Sequence, residues 1–379
     1  MLAVMRCQDK SARITADKAL DVLRKLLQKR LFQRFWNRFE LDVQTFLIGS
    51  HVLTTHSSFH WLKKIQIKTA FFGPAVGVCR CLVRGDPGGF VLTPHYGEHA
   101  EELYNFHVRP DDIWVLSFPK SGTTWTQELV WLIANDCDFE GAKRDLNVRS
   151  PFFEFPYLIP RQEVSSYGHL PPVEKQMQIR EKLESPRLIK THLPLDLLPP
   201  QLTDTCKVVY VARNPKDVIV SYYYHHKLIK FHYFDGDMES FAHRFMKDQV
   251  WYAPYFGQVL ATWEKAKNNP NVLFLFYEDL KKDLGGQIKK VAHFLGKSLT
   301  DEQLAKLVHH LTFENLSKNS AVNKEDGKKH GVFNADGNFM RKGETGDWQR
   351  YFSPEMSRQI DEWTELNLRG SDITFVDKI

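Results

Sequence analysis

The chain has 379 residues, of which 42% are hydrophobic and 26% charged, a composition typical of a globular protein with one large or two ordinary domains. This composition excludes a largely disordered protein, and no window approaches the ~20 consecutive apolar residues that a membrane-spanning helix needs. The net charge of +5 is concentrated in residues 1–82, which carry 14 Lys and Arg against 5 Asp and Glu. The remainder is acidic, so we expect no nucleic-acid-binding surface.

The first 82 residues are predicted to form a basic N-terminal extension that is partly helical or disordered. Leucines alternate with basic residues over 19–34, and Asp17 is a suitable N-cap for such a helix. A targeting helix, a membrane-surface helix and a solvated tail remain open as interpretations of this segment, although its aspartates argue against a mitochondrial signal.

From about residue 84 the sequence alternates short apolar strands with helices. The predicted strands cover 112–118, 187–190, 207–212 and 272–277, and the predicted helices cover 95–106, 123–135, 216–229, 239–247, 249–266, 284–295 and 300–311. This alternation predicts one α/β domain over 84–379 with a central parallel sheet flanked by helices. Ligands of such folds bind beyond the carboxyl ends of the strands.

The turn after the first of these strands predicts a phosphate-binding loop. Its sequence from Phe118 to Trp125 reads FPKSGTTW. It leads into a helix N-terminus, where unpaired N–H groups and the helix dipole stabilise an anion. Gly122 lets the backbone approach the anion closely, and Lys120 adds a positive charge. Hydroxyl donors come from Ser121, Thr123 and Thr124.

This loop is not a Walker A motif, because its lysine precedes the only glycine. We therefore expect a nucleotide ligand without implying ATP and magnesium. The remaining alternative is that these residues only cap the helix. The five cysteines are odd in number and irregularly spaced, and the 16 histidines include no His-Glu-x-x-His motif, so no metal site is expected.

Two further strands are predicted to end in residues suited to catalysis or to anion binding. His192 follows the second strand and is placed to act as a general base, although a structural histidine is the simpler interpretation of it alone. Arg213 follows the third strand, and Ser221 lies two helical turns further on. A salt bridge to Asp217 is the alternative role for the arginine.

A second basic loop contains Arg341, Lys342 and Gly343. By itself it is a surface charge pair, but together with Arg213 it suggests a second phosphate pocket. Two phosphate sites and one base describe a nucleotide that carries phosphates on both sides of its sugar.

These motifs resemble those of the cytosolic-type sulfotransferases, and most of all their insect branch, over about residue 84 to the C-terminus. The resemblance implies a P-loop-like α/β fold and a cytoplasmic enzyme. Such an enzyme transfers a sulfuryl group from 3′-phosphoadenylyl sulfate (PAPS) to a hydroxyl or amine of a small acceptor. The product is 3′-phosphoadenosine 5′-phosphate (PAP), and no metal takes part.

The resemblance also assigns roles to individual residues. Catalytic roles fall to His192 as base, Lys120 at the leaving phosphate, Lys190 and Ser221. The nucleotide would be bound by Lys120, Ser121, Gly122, Thr123, Thr124, Trp125, Arg213, Ser221, Tyr277, Phe313, Arg341, Lys342 and Gly343. Within this set, Trp125 would stack on the adenine.

Aromatic runs at 151–157 and 222–224 predict the wall of an acceptor pocket, although such runs are more often plain core. Phe152 and Phe155 match family positions that line this pocket, together with Lys190 and His192. An apolar or aromatic acceptor fits such a wall.

Three other functions remain open: a small-molecule kinase, a nucleotide-binding homologue without turnover, and a retinol-dehydratase-like enzyme that eliminates a sulfated intermediate. The family's C-terminal dimer motif is replaced here by Gln349, Ser353-Pro354 and Arg358. The usual dimer is therefore not expected.

Overall fold

The computed structural model describes residues 67–70, 82–85, 88–159, 173–232 and 234–376. Nearly all of the predicted basic extension, including the helix after Asp17, lies outside these residues, so its structure and role stay predictions. Within the described part of the chain, no helix combines the length and the hydropathy that crossing a bilayer requires.

In the part of the chain that the structure describes, seven strands form two sheets. They are β1 (Ile67–Ala70), β2 (Leu82–Gly85), β3 (Phe90–Leu92), β4 (Ile113–Leu116), β5 (Leu188–Thr191), β6 (Lys207–Ala212) and β7 (Val272–Phe276). The first three make a small antiparallel sheet, and the other four make a parallel sheet in the order β5-β4-β6-β7. The chain passes from β4 to β5 on one side and returns to β6 on the other, so β4 marks the topological switch point.

Fifteen α-helices occur in the described residues. They are α1 (Pro94–Tyr104), α2 (Thr123–Ala134), α3 (Leu146–Arg149), α4 (Phe155–Leu158), α5 (Val173–Glu181), α6 (Leu202–Thr205), α7 (Pro215–Leu228), α8 (Met238–Met246), α9 (Tyr255–Asn268), α10 (Tyr277–Lys282), α11 (Leu284–Phe294), α12 (Asp301–His310), α13 (Phe313–Lys318), α14 (Asp326–Lys329) and α15 (Pro354–Leu368).

The parallel sheet is buried, which explains why its strands are apolar throughout. Val115, Val209 and Val211 are fully buried and pack with Leu129 and Ile133 of α2 in one hydrophobic core. Burying a side chain of this size contributes about 1.5–3 kcal/mol. The predicted α/β fold with a central parallel sheet is confirmed.

The structure differs from the predicted elements in several places, and its described residues contain seven helices of four to nine residues between 146 and 329 that were not predicted. The helix predicted over 249–266 begins only at Tyr255, because Pro254 precedes it and proline disfavours helical backbone in the residue before itself. The antiparallel sheet was not predicted, since strands of three or four residues are too short to show alternation. The C-terminal helix α15 was also missed, although Pro354 at its start fits the first helical turn.

Candidate active site

The residues that follow the four parallel strands lie at one edge of the sheet. Leu116 of β4 pairs with Thr191 of β5 and with Tyr210 of β6, and Ala212 pairs with Phe276 of β7. The residues that come directly after the strands therefore lie side by side. They include Ser117, His192, Arg213 and Tyr277.

A cavity of about 650 Å³ opens at this edge. The predicted site residues that line it are Lys120, Gly122, Thr123, Thr124, Trp125, Phe152, Phe155, Lys190, His192, Arg213, Ser221, Tyr277, Phe313, Arg341 and Gly343. Lys342 lines a smaller adjoining pocket instead, and Ser121 of the loop is buried and lines neither pocket. The structure therefore brings fifteen of the seventeen predicted residues to one cavity.

The predicted phosphate loop has the backbone of an anion cradle. Lys120 and Gly122 have φ angles of 68° and 107°, in the left-handed region, and Gly122 is the N-cap of α2. A Cβ on Gly122 would come within 2.7 Å of Tyr277 Cδ2, so glycine is required there. The Oγ of Ser121 and Nε1 of Trp125 are buried and have no hydrogen-bond partner within the described structure. These unused donors at a helix N-terminus suit a bound phosphate.

Lys120 is a cation in an apolar setting. Its Nζ lies 4.1 Å from the centre of the Phe339 ring and 3.4 Å from the Phe339 carbonyl oxygen. Burial, followed by the charges of Arg213, Lys324 and Arg341, lowers the pKa of Lys120 to about 7. An anion in the cavity would reverse this shift, because it stabilises the charged form.

His192 is fixed in one tautomer. Its Nδ1 lies 2.8 Å from the carbonyl oxygen of Ser117, and a carbonyl can only accept a hydrogen bond, so Nδ1 carries the proton. The lone pair is therefore on Nε2. Burial and then the charge of Lys190 hold the pKa of His192 well below its usual value, so the ring is neutral. A neutral imidazole with a free Nε2 can accept a proton.

A buried carboxylate behind His192 holds this strand end in place. Glu154 accepts hydrogen bonds from the His192 backbone N–H at 2.8 Å, the Thr191 hydroxyl at 2.7 Å and the Tyr252 hydroxyl at 2.9 Å. Burial raises the pKa of Glu154, and the charge of Lys190 and these hydrogen bonds oppose the rise. The sequence pattern did not indicate this role for Glu154, although it is the only acidic residue in the aromatic run 151–157.

The second basic pocket, of about 50 Å³, is lined by Arg213, Ser221, Arg341 and Lys342, among others. Arg213 donates to the carbonyl oxygens of Lys120 at 3.3 Å and Glu344 at 2.7 Å, and its Nε is buried without a partner among the described residues. The pocket thus retains cationic donors for an anion, as the second phosphate site requires.

The sequence left simpler roles open for these basic residues: a salt bridge to Asp217 for Arg213, and a surface charge pair for Arg341 and Lys342. The structure contains related ion pairs, but they leave the cations facing the pocket. The predicted alternative partner of Arg213, Asp217, lies 3.8 Å away and accepts its closer hydrogen bond from the Gly346 N–H at 2.7 Å. Arg341 and Lys342 share Asp347 at 2.5 and 2.8 Å. Each cation still faces the pocket, so these bonds orient the cations without closing the site.

Aromatic rings line two further parts of the cavity. Trp125 and Tyr277 meet edge to face at 5.5 Å between centres, and Phe313 packs against Gly343 so closely that a Cβ there would lie 2.2 Å from its ring. Phe152 and Phe155 stack at 5.6 Å. The first group suits a purine ring and the second an apolar acceptor.

The expectation that no metal is bound stays a prediction. Within the described residues one group, His95, Glu98 and His99 of α1, brings potential ligand atoms within 4.8 Å of one another. None of the three lines the cavity.

A helix N-terminus suited to an anion, a second cationic pocket and a neutral histidine with a free Nε2 are together typical of a nucleotide-dependent group transferase. Comparison with known proteins agrees. The family described as "Sulfotransferase domain" matches residues 110–372. Luciferin sulfotransferase of Photinus pyralis is 39% identical over 290 residues, which cover 74% of this chain and 78% of that protein.

Two solved structures of retinol dehydratase are also similar, one with androsterone and inactive cofactor PAP and one with retinol and PAP. Each is 37% identical over 78% of this chain, with TM-scores of 0.71 and 0.72, and the matches cover 91% and 92% of those chains. The chain therefore belongs to the sulfotransferase family. It is an enzyme that transfers a sulfuryl group from PAPS to a small acceptor.

Proposed function

We propose that this enzyme sulfates the hydroxyl group of an apolar or aromatic acceptor, with His192 as general base and Lys120 at the leaving phosphate. The observation that carries the proposal is the hydrogen bond from His192 Nδ1 to the Ser117 carbonyl. Ser117 lies three residues before Lys120, so the base and the phosphate loop are fixed to the same short segment. This arrangement holds the proton acceptor and the anion site at a constant separation.

Each catalytic group then has a defined task. PAPS supplies the sulfuryl group and departs as a bisphosphate. Nε2 of His192 takes the acceptor's hydroxyl proton, and Lys120 with the N-terminus of α2 stabilises negative charge on the phosphate that leaves. Lys190, whose Nζ lies 3.0 Å from the centre of the Phe152 ring, borders the acceptor beside His192. It helps to orient the hydroxyl.

We assign the 3′-phosphate and the adenine of the nucleotide to other walls of the cavity. Arg213, Ser221, Arg341 and Lys342 would hold the 3′-phosphate, because they form the second cationic pocket. The adenine would lie near Trp125, Tyr277 and Phe313. Three buried polar atoms without partners in the described structure support this fit: Ser121 Oγ, Trp125 Nε1 and Arg213 Nε.

A second candidate function is dehydration of the acceptor through its sulfate ester. It is favoured by the similarity to retinol dehydratase, whose structures contain retinol or androsterone. In that reaction the ester formed by the transferase step loses sulfate and a neighbouring proton to give an alkene. The same cavity serves both outcomes, so product analysis has to separate them.

Incubation with PAPS labelled in its sulfuryl group tests both candidates. A panel of phenols, steroids, amines and retinoids is offered, and the label is followed in the products. Label retained on an acceptor indicates sulfation, whereas label released as inorganic sulfate together with an alkene indicates dehydration. No acceptor-dependent loss of label from PAPS would contradict the proposed activity.

Two other predictions remain proposals: a cytoplasmic location, and the absence of the family's usual dimer. In the altered dimer motif, Ser353 is the N-cap of α15, and Arg358 pairs with Glu355 and Glu362 of the same helix. These side chains therefore serve the helix itself. Sedimentation of the purified protein tests the oligomeric state.

A further inference from the structure

One cation in the cavity has no role in the proposed mechanism. Lys324 lies two residues after Val322, which is fully buried, and lines the same cavity as His192 and Lys120. Its ammonium group donates a hydrogen bond to the neutral Oδ1 of Asn147 at 2.8 Å. In the described structure no carboxylate lies within ion-pair distance of it.

The backbone holds Lys324 in an unusual but well-defined conformation. Its φ angle is 60°, in the left-handed region that side chains other than glycine seldom adopt. The neighbouring Asn323 fixes this turn by donating to the Ser317 carbonyl at 3.1 Å and accepting from the Glu325 N–H at 3.2 Å. Strained residues that the surrounding structure holds in place cluster at functional sites.

Lys324 lies near Lys120 and near the two residues that are proposed to border the acceptor. It shares the Phe339 ring with Lys120, at 5.5 Å against 4.1 Å from the ring centre. Burial is the main cause that lowers the pKa of Lys190 and of His192, and the charge of Lys324 lowers both further, in each case more than the charge of Lys120 does. Lys324 therefore lines the same cavity as Lys190 and His192 and is close enough for its charge to act on both.

The charges and the burial around Lys324 disfavour its ammonium form. Burial lowers the pKa of Lys324, and the charges of Asp145 and Asp326 oppose the shift without forming an ion pair with it. A cation removed from water is costly unless an anion compensates it. The phosphates of the donor have Lys120, Arg213 and Arg341, whereas Lys324 has only an amide.

We propose that Lys324, together with the Asn147 amide, binds a carboxylate on the acceptor. The preferred acceptor is then a hydroxy acid with an apolar or aromatic body. Its hydroxyl lies at His192, its body packs on Phe152 and Phe155, and its carboxylate reaches Lys324. This inference rests on the proposed function, because that function places the hydroxyl.

Binding to the PAP-loaded protein tests the proposal without turnover. Hydroxyphenyl alkanoic acids of increasing chain length and their methyl esters are compared by calorimetry. A charge-assisted hydrogen bond contributes about 1.5–3 kcal/mol, so the best acid should bind roughly ten- to a hundredfold more tightly than its ester. Lys324→Met should abolish this preference and leave ester binding unchanged, and Lys324→Arg should retain part of it.

Lys329→Met is the matched control, because Lys329 is exposed and does not line the cavity. It should bind acids and esters as the unaltered protein does. Equal affinity of the unaltered protein for acids and esters overturns the proposal. So does a Lys324→Met variant that loses affinity for acid and ester alike, or for PAP itself. Acids that bind with the expected preference but accept no labelled sulfuryl group would contradict the proposed function and not the carboxylate site.

Discussion

The Nδ1 atom of His192 donates a hydrogen bond to the backbone carbonyl of Ser117 at 2.8 Å, and this bond connects β5 to the phosphate loop after β4. The bond has two effects. It sets the tautomer that leaves Nε2 free, and it holds the ring against the turn that carries Lys120. His192 and the phosphate loop are therefore held by the same short segment.

The first prediction concerns this histidine. His192→Ala should lower kcat by roughly 10²- to 10⁴-fold, the usual contribution of a general base, with little change in PAP affinity. Steady-state kinetics with the best acceptor and calorimetry with PAP measure the two quantities.

His95→Ala provides a matched control for that variant. His95 is also buried, and its Nδ1 also bonds a backbone carbonyl, that of Ile159 at 2.9 Å, but the residue does not line the cavity. The two variants should lose similar stability, and only His192→Ala should lose turnover. Equal losses of kcat in both variants would show that the effect is structural.

The second prediction follows from the pKa of Lys120, which is about 7 in the free protein. At pH 8 most of the free lysine is neutral, whereas a bound phosphate raises its pKa and favours the ammonium form. PAP binding at pH 8 should therefore take up about one proton, and PAP affinity should fall as pH rises above 7. Calorimetry in two buffers of different ionisation enthalpy measures the uptake.

Lys120→Met is the comparison for this proton uptake. The variant should bind PAP more weakly at pH 7 and take up correspondingly fewer protons at pH 8. An uptake in the variant equal to that of the unaltered protein would assign the titration to another group.

The parts of the fold and site that could be predicted from sequence are those whose cause is local. An apolar run followed by glycine and lysine predicts the strand, turn and helix around Lys120 without any tertiary information. His192 and Arg213 were found for the same reason, because each follows a recognisable strand. Their meeting at one edge follows from parallel pairing alone.

The remaining parts depend on contacts between distant segments. Phe339 covers Lys120 from 219 residues away, and Lys324 joins the cavity from a polar segment without strand or helix periodicity. From the sequence, Glu154 is expected to be exposed, because its burial depends on the tertiary structure. No periodicity or motif in the sequence indicates such contacts.

The third prediction separates the two phosphate pockets. Ser221 lines the second pocket with Arg213, so Ser221→Ala should weaken PAP binding. The expected loss is roughly ten- to a hundredfold, the effect of one hydrogen bond to a charged group. Binding of 5′-AMP, which lacks the 3′-phosphate, should be unchanged.

Lys120→Met should weaken the binding of both ligands in the same titrations, because Lys120 is proposed to bind the 5′-phosphate that PAP and 5′-AMP share. If Ser221→Ala weakened 5′-AMP and PAP equally, Ser221 would not bind the 3′-phosphate.

The fourth prediction uses a pair of glycines with the same backbone conformation. Gly343 and Gly296 have φ angles of 67° and 68°, so alanine at either position should cost about 1–2 kcal/mol of stability from backbone strain. A Cβ at Gly296 meets nothing within 4 Å, whereas one at Gly343 would lie 2.2 Å from Phe313 Cδ2. Gly343→Ala must therefore displace the Phe313 ring or the basic loop itself.

Gly343→Ala should consequently weaken PAP binding, because both the purine wall and the second phosphate pocket move. Gly296→Ala should lose stability in urea unfolding but bind PAP normally. The difference between the two variants measures the contact between Gly343 and Phe313, since the strain is common to both. Normal PAP affinity in Gly343→Ala would mean that neither Phe313 nor the basic loop contributes to the nucleotide site.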